Sequence, residues 1–333
     1  MGNSLFEKYG RAETLAPSFI WGLACCKAGI PTFLVAPPSG GKSTVIFALQ
    51  KWLTLNHEPV KLVSRLNLRG MKQLNGWFKK KRYATILNED YALIGSSDYI
   101  VEKMGEIIGS LSYSGVFVDD GLGVNIKVDR LGFVSGIQPL WIENLVKHPV
   151  YATFIREKFL RYYLLPYKPS EDIDDLEAQN ILVQNTKTVK TTYDFEIPSI
   201  FISGLAFQVG LTRAKMYAPR IAREICRFVG KEKIEDVLKF YSYRLRFEQL
   251  FLTRELGDKG FDVSVNWEAY HVLYWALRVD NITRIDLMTR LGVSSLRSVE
   301  RATNKAIALG WISYVWNGGE KHFIPNRKLI GGE

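Results

Sequence analysis

The chain is poor in the residues that build metal centres and disulfide frameworks. Only three cysteines and four histidines occur among its 333 residues, and they are scattered. This scatter argues against a disulfide-rich secreted scaffold and against a cysteine- or histidine-based metal site. Nor does the chain contain a run of about 18 apolar residues, the length that a membrane-spanning helix needs. We therefore expect an intracellular, cytoplasmic protein that does not act in a membrane.

Acidic residues are missing from a stretch that is rich in basic ones. Between Val60 and Arg82 there are eight lysines or arginines and no aspartate or glutamate. The block from Arg213 to Arg246 has ten basic residues against four acidic ones, and the whole chain has a formal net charge of +10. Clustered positive charge predicts a polyanionic partner, with a solvated basic surface as the alternative.

The most informative segment follows the apolar run 32–35 and has the sequence APPSGGKST. It fits the phosphate-binding pattern G-x-x-x-x-G-K-[ST], with Ala36 in place of the first glycine. In such a loop, backbone N–H groups surround the phosphates and the next helix directs its positive dipole end at the anion. The pattern predicts a nucleoside triphosphate site, with ATP as the ligand.

The same pattern assigns a role to each part of the loop. Lys42 is expected to reach the β and γ phosphates, and Ser43 to hold Mg²⁺ at the start of a helix over 43–53. The predicted nucleotide-contacting residues are Pro38, Ser39, Gly40, Gly41, Lys42, Ser43 and Thr44.

Two apolar segments end in acidic residues and compete for the second part of the site. The first, over 84–87, is followed by Glu89 and by Asp90, which lies 48 residues after Lys42. Acids at such a strand end hold the Mg²⁺ shell and orient the attacking water. We favour this segment, with Asp90 as a metal ligand and Glu89 as a catalytic residue.

The alternative acidic pair is Asp119 and Asp120, which follows the apolar segment 116–118. An Asp-Gly pair at 120–121 lies between alternating apolar residues, which is typical of a β-hairpin over 116–128. The predicted hairpin makes this segment the second choice for the acidic strand end. Both segments carry the same signal, an apolar strand followed by two acidic residues.

A polar strand end and an arginine come next along the chain. The segment 131–139 predicts a short strand with Ser135 or Gln138 near its end, and Arg156 precedes an apolar strand that ends in Leu-Pro. This order of P-loop, acidic strand end, polar strand end and arginine resembles the AAA+ ATPase family. The resemblance covers roughly residues 16–245.

The resemblance implies several further roles. Gln138, or else Ser135, would sense the γ-phosphate, and Arg156, with Arg161 as second choice, would reach the nucleotide of a neighbouring subunit and stabilise the charge on the phosphoryl group. A helical lid would follow the core. Its phosphate-touching arginine would be one of three candidates, Arg213, Arg220 or Arg223.

The C-terminal region has another pattern, with two helical stretches, a helix over 296–309 with Ser295 as N-cap, and a hairpin around an Asn-Gly turn. This order resembles the winged helix-turn-helix family of DNA-binding modules. The basic stripe on the last helix would then lie in a major groove, while Lys321 on the wing contacts the DNA backbone. The stripe consists of Arg297, Arg301 and Lys305.

We predict an α/β protein with a P-loop three-layer αβα ATPase core over 1–196, including a surface loop or insertion near 170–194. An α-helical lid over 197–262 and a winged helix over 263–333 follow. Its predicted function is Mg²⁺-dependent ATP hydrolysis coupled to DNA, similar to replication initiators, helicase loaders and small helicases, in a homo-oligomeric ring, for instance a hexamer, or a filament. The alternative is a nucleotide-switched regulatory ATPase whose winged helix binds a protein partner.

Overall fold

The computed structural model describes residues 5–36, 40–64, 68–78, 81–91, 98–138, 141, 142, 145, 156–164, 174–246, 248, 268, 269, 272, 273, 275, 276, 279, 281–291 and 293–326. The chain forms two compact units, and the division falls between Leu245 and Arg246. No helix within these ranges is long and apolar enough to cross a bilayer.

A five-stranded parallel sheet forms the centre of the first unit, with strand order β2-β3-β6-β1-β7. Its strands are β1 Pro31–Val35, β2 Val60–Val63, β3 Tyr83–Asn88, β6 Arg130–Ile137 and β7 Leu160–Tyr163. A separate antiparallel hairpin consists of β4 Val116–Asp119 and β5 Val124–Lys127. The predicted hairpin is therefore confirmed.

Helices flank the sheet, so the α/β prediction is confirmed at this level. The helices up to the hairpin are α1 Ala16–Ala28, α2 Lys42–Leu55, α3 Leu68–Phe78 and α4 Asp98–Ser114, preceded by a 3₁₀ helix over Glu7–Ala12. Every residue of β1 is buried, which explains why this strand is a continuous apolar run rather than an alternating one. Gly41 is the N-cap of helix α2, and its φ of 85° is left-handed, which suits a residue without a Cβ.

The strand order places a change of direction beside β1. From β1 the chain crosses to β2 at one edge of the sheet, whereas from β6 it passes β1 to reach β7 at the other edge. Neighbouring strands β1 and β6 thus send the chain to opposite sides from their carboxyl ends. Such a point leaves a crevice at the carboxyl edge, where open α/β sheets bind ligands.

The segment predicted as a surface loop near 170–194 contains a helix, α5 Asp175–Gln184, so this expectation is wrong for ten residues. Asp174 caps the helix, because its carboxylate accepts a hydrogen bond of 2.6 Å from the backbone N–H of Glu177. Ala178 and Leu182, four residues apart, are buried in the core of the unit.

The first unit also contains α6 Ser199–Val209, α7 Leu211–Val229 and α8 Ile234–Arg246, together with short helical turns over Arg156–Lys158 and Lys231–Lys233. The predicted apolar spacing of α7 is confirmed, because Ala214, Ala218, Ile221, Ile225 and Phe228 are all buried. Helix α7 packs along α1, and both contribute to the core that covers one face of the sheet. The predicted lid helices therefore belong to the same compact unit as the sheet, and the boundary proposed at 196–197 stays a prediction.

A glutamine side chain occupies the backbone hydrogen-bonding groups of one residue on the edge strand β7. The side-chain amide of Gln208 accepts from the backbone N–H of Arg161 and donates to its carbonyl, both at 2.8 Å. Its Nε2 also donates to the carbonyl of Leu245. One buried side chain thus joins β7 to the ends of α6 and α8.

The second unit contains β8 Ile282–Thr283, α9 Arg284–Leu291, α10 Leu296–Ala308, β9 Ile312–Asn317 and β10 Glu320–Pro325. The strands form an antiparallel sheet of order β8-β10-β9, and Gly318 and Gly319 make the two-residue turn of the predicted hairpin. Ser295 stands at the N-cap of α10, yet its side chain makes no capping hydrogen bond. Its backbone carbonyl accepts from Ser298 and Val299 instead.

Candidate functional site

Lys42 lies at the carboxyl end of β1, at the change of direction in the sheet. Its side chain is 8% exposed, and its Nζ donates a hydrogen bond of 2.8 Å to the carbonyl of Ala36. The lysine thereby folds back across the loop that joins β1 to α2. Gly40 and Gly41 precede it in the described part of this loop, whereas Pro38 and Ser39 lie outside the described residues.

The acidic strand end of β3 reaches this lysine because the chain turns across the end of β6. The backbone N–H of Tyr91 donates to the carbonyl of Gly136 at 2.7 Å. A Cβ on Gly136 would lie 2.4 Å from the carbonyl oxygen of Glu89, a distance that no side chain tolerates. Glycine at this position therefore lets the Glu89–Tyr91 segment lie against β6, which brings Asp90 towards β1.

The charges of Lys42 and Asp90 act on each other's pKa. Burial lowers the pKa of Lys42 to about 8, and the charge of Asp90 acts in the opposite direction. Burial also raises the pKa of Asp90, while Lys42 lowers it, Glu89 raises it and a hydrogen bond with Gln138 lowers it. The site thus holds a desolvated cation next to a desolvated carboxylate.

Gln138 is the polar strand end that takes part in this cluster. It follows β6, is half-buried, and its side chain is close enough to Asp90 to lower the pKa of that carboxyl. Ser135 is fully buried, and its hydroxyl donates to the carbonyl of Gly136. Of the two sequence candidates, Gln138 is therefore the one whose side chain faces the Lys42–Asp90 pair.

The donor atoms here suit a hard cation such as Mg²⁺. The Oδ1 of Asp90 is buried and has no hydrogen-bond partner within the described ranges. Ser43 follows Lys42 as the second residue of α2, and its side chain is half-buried. A carboxylate oxygen and a hydroxyl fit the preference of Mg²⁺ for a few protein oxygens completed by phosphate oxygens and water. No group of three or more His, Cys, Asp or Glu with metal-binding geometry occurs in the described part of the chain.

The competing acidic pair lies in a different setting. Strand β4 pairs with β5 in the hairpin and is not a member of the five-stranded sheet. Asp119 forms an ion pair with Lys103 at 3.4 Å and accepts a hydrogen bond from the backbone N–H of Leu122. That backbone bond is the main cause of the lowered pKa of Asp119. The arrangement favours Glu89 and Asp90 over Asp119 and Asp120.

The two candidate trans arginines have opposite environments. Arg161 is 1% exposed, and its guanidinium donates to the carbonyls of Phe159, Arg156 and Gln208. A buried side chain held by three carbonyls cannot reach a neighbouring subunit, so the second choice is wrong. Arg156 is exposed and precedes β7 at the amino edge of the sheet, away from Lys42. This position keeps it apart from Lys42 of its own chain, and its trans role stays a prediction.

Two of the three lid candidates also lie at the amino edge. Arg213 donates at 2.6 Å to the carbonyl of Glu157, which precedes β7, and Arg220 donates to the carbonyl of Ala28, which precedes β1. The prediction that either touches the phosphate site is therefore wrong. The guanidinium of Arg223 lies over the ring of Tyr193, 5.2 Å from its centroid.

Sequence reasoning missed a contact between α5 and the start of α2. The hydroxyl of Thr44 donates to the Oδ1 of Asp175 at 2.8 Å. Thr44 is thereby committed to α5, although it was predicted only as a nucleotide contact. The capping pair Asp174 and Glu177, spaced as in a capping box, was the signal that could have revealed this helix.

In comparisons with known proteins, no family model and no curated protein matched this chain.

The predicted basic stripe on α10 is present, but its three side chains differ in solvent exposure and in ion pairing. Arg297 and Arg301 are exposed and Lys305 is half-buried. Arg301 forms an ion pair of 2.7 Å with Glu268 in the same unit. On β10, the Nζ of Lys321 lies over the Tyr314 and Trp316 rings.

Proposed function

We propose that this protein binds and hydrolyses ATP with Mg²⁺ and couples hydrolysis to DNA. The observation that carries the proposal is the convergence of Lys42, Asp90 and Gln138 at the carboxyl edge of the sheet. These residues follow β1, β3 and β6, and they meet where the chain leaves the sheet in opposite directions. Ligand binding at such a crevice, next to a helix N-terminus, is the general behaviour of open α/β sheets.

Each residue has a defined task in this proposal. Lys42 donates to the β and γ phosphates, giving up its hydrogen bond to Ala36, and its desolvated charge interacts more strongly with an anion than an exposed one does. Ser43 and Asp90 would hold Mg²⁺, which would supply positive charge against the phosphates. Glu89 orients the attacking water, and Gln138 positions Asp90 and contacts the γ-phosphate.

The resemblance to AAA+ ATPases remains part of this proposal. Supporting it are the order of P-loop, acidic strand end and polar strand end, and the exposed Arg156 before β7. In such an assembly Arg156 acts on the nucleotide of the next subunit of a homo-oligomer. The winged helix-turn-helix interpretation likewise has the order β8, α9, α10, β9, β10 in its favour.

The DNA part of the proposal rests on the exposed basic side chains of α10 and on the net charge of the chain. A regulatory ATPase that binds a protein partner is the second candidate. It is favoured by Ile285 and Leu296, which leave large apolar side chains in solvent on α9 and α10. Exposed apolar groups of this kind are typical of protein interfaces.

The deciding measurement is the rate of phosphate release from Mg²⁺-ATP, without DNA and with single- or double-stranded DNA. We expect hydrolysis that requires Mg²⁺ and increases with at least one kind of DNA. Hydrolysis that no DNA stimulates, together with no DNA binding, would favour the regulatory candidate. Absence of both ATP binding and hydrolysis would contradict the nucleotide site itself.

A further inference from the structure

The hairpin of the second unit exposes two aromatic rings on one face. Tyr314 and Trp316 alternate along β9 and therefore point to the same side of the sheet. Trp316 is 62% exposed and Tyr314 is 41% exposed. Farther from the turn, the same face carries Ile312 and Phe323, which are buried. The exposed part of the face therefore lies next to the turn.

A lysine lies on the same face as the two rings. Lys321 is directly opposite Trp316 in the antiparallel ladder. Its Nζ is 4.5 Å from the ring centroid of Tyr314 and 5.6 Å from that of Trp316. A cation at this distance is attracted to the ring faces and holds the side chains in place. The three residues Tyr314, Trp316 and Lys321 are called the wing cluster below.

The hairpin also holds the wing cluster in a fixed position. Strands β9 and β10 are paired over six residues each and are joined by the two-residue turn Gly318–Gly319. Strand β10 pairs on its other side with β8. The rings are therefore mounted on a rigid support before any partner binds, which reduces the entropy lost on binding.

The surroundings select an anionic partner. Residues 281–326 contain six lysines or arginines and three acidic residues. Asp286 is engaged by the hydroxyl of Thr283, and Arg284 and Arg301 are paired with Glu300 and Glu268. The remaining acid, Glu320, precedes Lys321 on β10, and its side chain lies on the opposite face of the strand from the rings. Positive charge beside exposed rings matches a ligand that combines flat bases with phosphates, and it matches a neutral apolar protein surface less well.

We propose that the wing cluster is a stacking site for unpaired bases of single-stranded nucleic acid, an inference that rests on the proposed action on DNA. Trp316 and Tyr314 stack on bases, and Lys321 neutralises the adjoining phosphate. In an intact duplex the base faces are already stacked on one another, so the rings have no face to bind. The cluster therefore distinguishes single strands from duplex.

The test uses the full chain and three probes of equal length: a labelled oligo(dT), a fully abasic oligomer of the same backbone, and a blunt duplex. Trp316→Ala should lower affinity for oligo(dT) by about 5- to 150-fold, the range for losing one base–aromatic stack. Affinity for the duplex should change by less than about twofold. Affinity of the wild type for the abasic oligomer should be low and should not fall further in the variant.

Two matched variants separate stacking from other effects. Val315→Ala removes a 45%-exposed side chain from the opposite face of the same strand, and should leave all affinities unchanged. Trp316→Phe keeps a ring and should retain most of the affinity for oligo(dT). A thermal melt of each variant establishes that the fold is intact, which the exposure of both side chains leads us to expect.

The failures of the two proposals give different results. Duplex binding without oligo(dT) binding overturns the stacking site but leaves action on DNA standing. Equal losses on oligo(dT) and duplex in Trp316→Ala, or no loss on oligo(dT), also overturn the stacking site. If the wild type binds none of the probes, the stacking site and the proposed action on DNA both fail. A protein partner for these rings then becomes the better interpretation.

Discussion

The carboxyl edge of the sheet and the exposed face of α10 both present positive charge, but in different surroundings. Lys42 is almost completely buried and has Asp90 as its charged neighbour. Arg297 and Arg301 are open to water, and Arg301 is already paired with Glu268. Charges interact strongly where water is excluded and weakly where it is not. At the sheet edge, substitution of Lys42 alone should therefore have a large effect on the proposed ATP hydrolysis. On α10, each arginine should contribute a small, additive and salt-dependent part of the proposed DNA affinity.

The largest effect is expected from Lys42→Ala. Removing one preorganised donor from a developing anion typically costs about 100- to 1,000-fold in turnover, and we expect ATP hydrolysis to fall at least that far. Phosphate release measures the effect, with circular dichroism as the control for folding. Hydrolysis at the wild-type rate would show that the loop does not serve phosphate chemistry.

Glu89→Gln should have nearly as large an effect on turnover while leaving ATP binding intact. A positioned acid–base group contributes about 100-fold or more to turnover, and we expect a loss near the lower end of that range. Asp119→Asn is the matched control, because Asp119 pairs with Lys103 in the hairpin, and it should change turnover by less than about twofold. The reverse ranking would move the catalytic acid to the hairpin.

The buried lysine predicts that ATP affinity depends on pH. Without nucleotide, the pKa of Lys42 is about 8. Phosphate charges stabilise the protonated form and raise this pKa in the complex, so above pH 8 binding takes up a proton. Affinity should then fall by up to about tenfold per pH unit above that point, and should be insensitive to Lys42 below it.

Titration calorimetry in two buffers of different ionisation enthalpy measures this proton uptake directly. Lys42→Ala is the control, since it should bind weakly and without the pH-dependent step. An ATP affinity that stays constant from about pH 7 to about pH 9 would contradict a desolvated lysine at the phosphates.

The smallest effect is expected on α10. Arg297→Ala with Arg301→Ala removes two charges, each contributing about 0.9 to the slope of log affinity against log salt, so the slope should fall by up to about 2. ATP hydrolysis without DNA should not change. The ion pair with Glu268 sharpens this test, because Glu268→Ala frees Arg301 and should strengthen DNA binding. An unchanged slope in the double variant would favour the protein-partner role for this unit.

Local signals explain how much could be predicted from the sequence. The hairpin over 116–127 and the turn at Gly318 are encoded by adjacent residues, and both are present. The convergence of Lys42 and Asp90 was predictable from the P-loop pattern and an acidic strand end, although 48 residues separate them. Parallel strands bring their carboxyl ends to one edge whatever the length of chain between them.

Contacts between distant side chains could not be predicted in this way. Helix α5 buries only two apolar side chains in the core, and its acidic first turn made the segment look like a loop. The hydrogen bond from Thr44 to Asp175 spans 131 residues, and that between Gln208 and Arg161 spans 47. The burial of Arg161 and the hydrogen bonds of its guanidinium depend on that packing. Sequence order alone could therefore not show that Arg161 is buried and Arg156 exposed.

The amide of Gln208 has a consequence for how copies of this chain can join. An edge strand with unpaired N–H and C=O groups is a template on which another chain adds a strand. At Arg161 both groups are already satisfied by a side chain, which has no further peptide group to continue the ladder. A strand from a second chain would therefore find no free backbone group at this residue of β7 with which to extend the sheet.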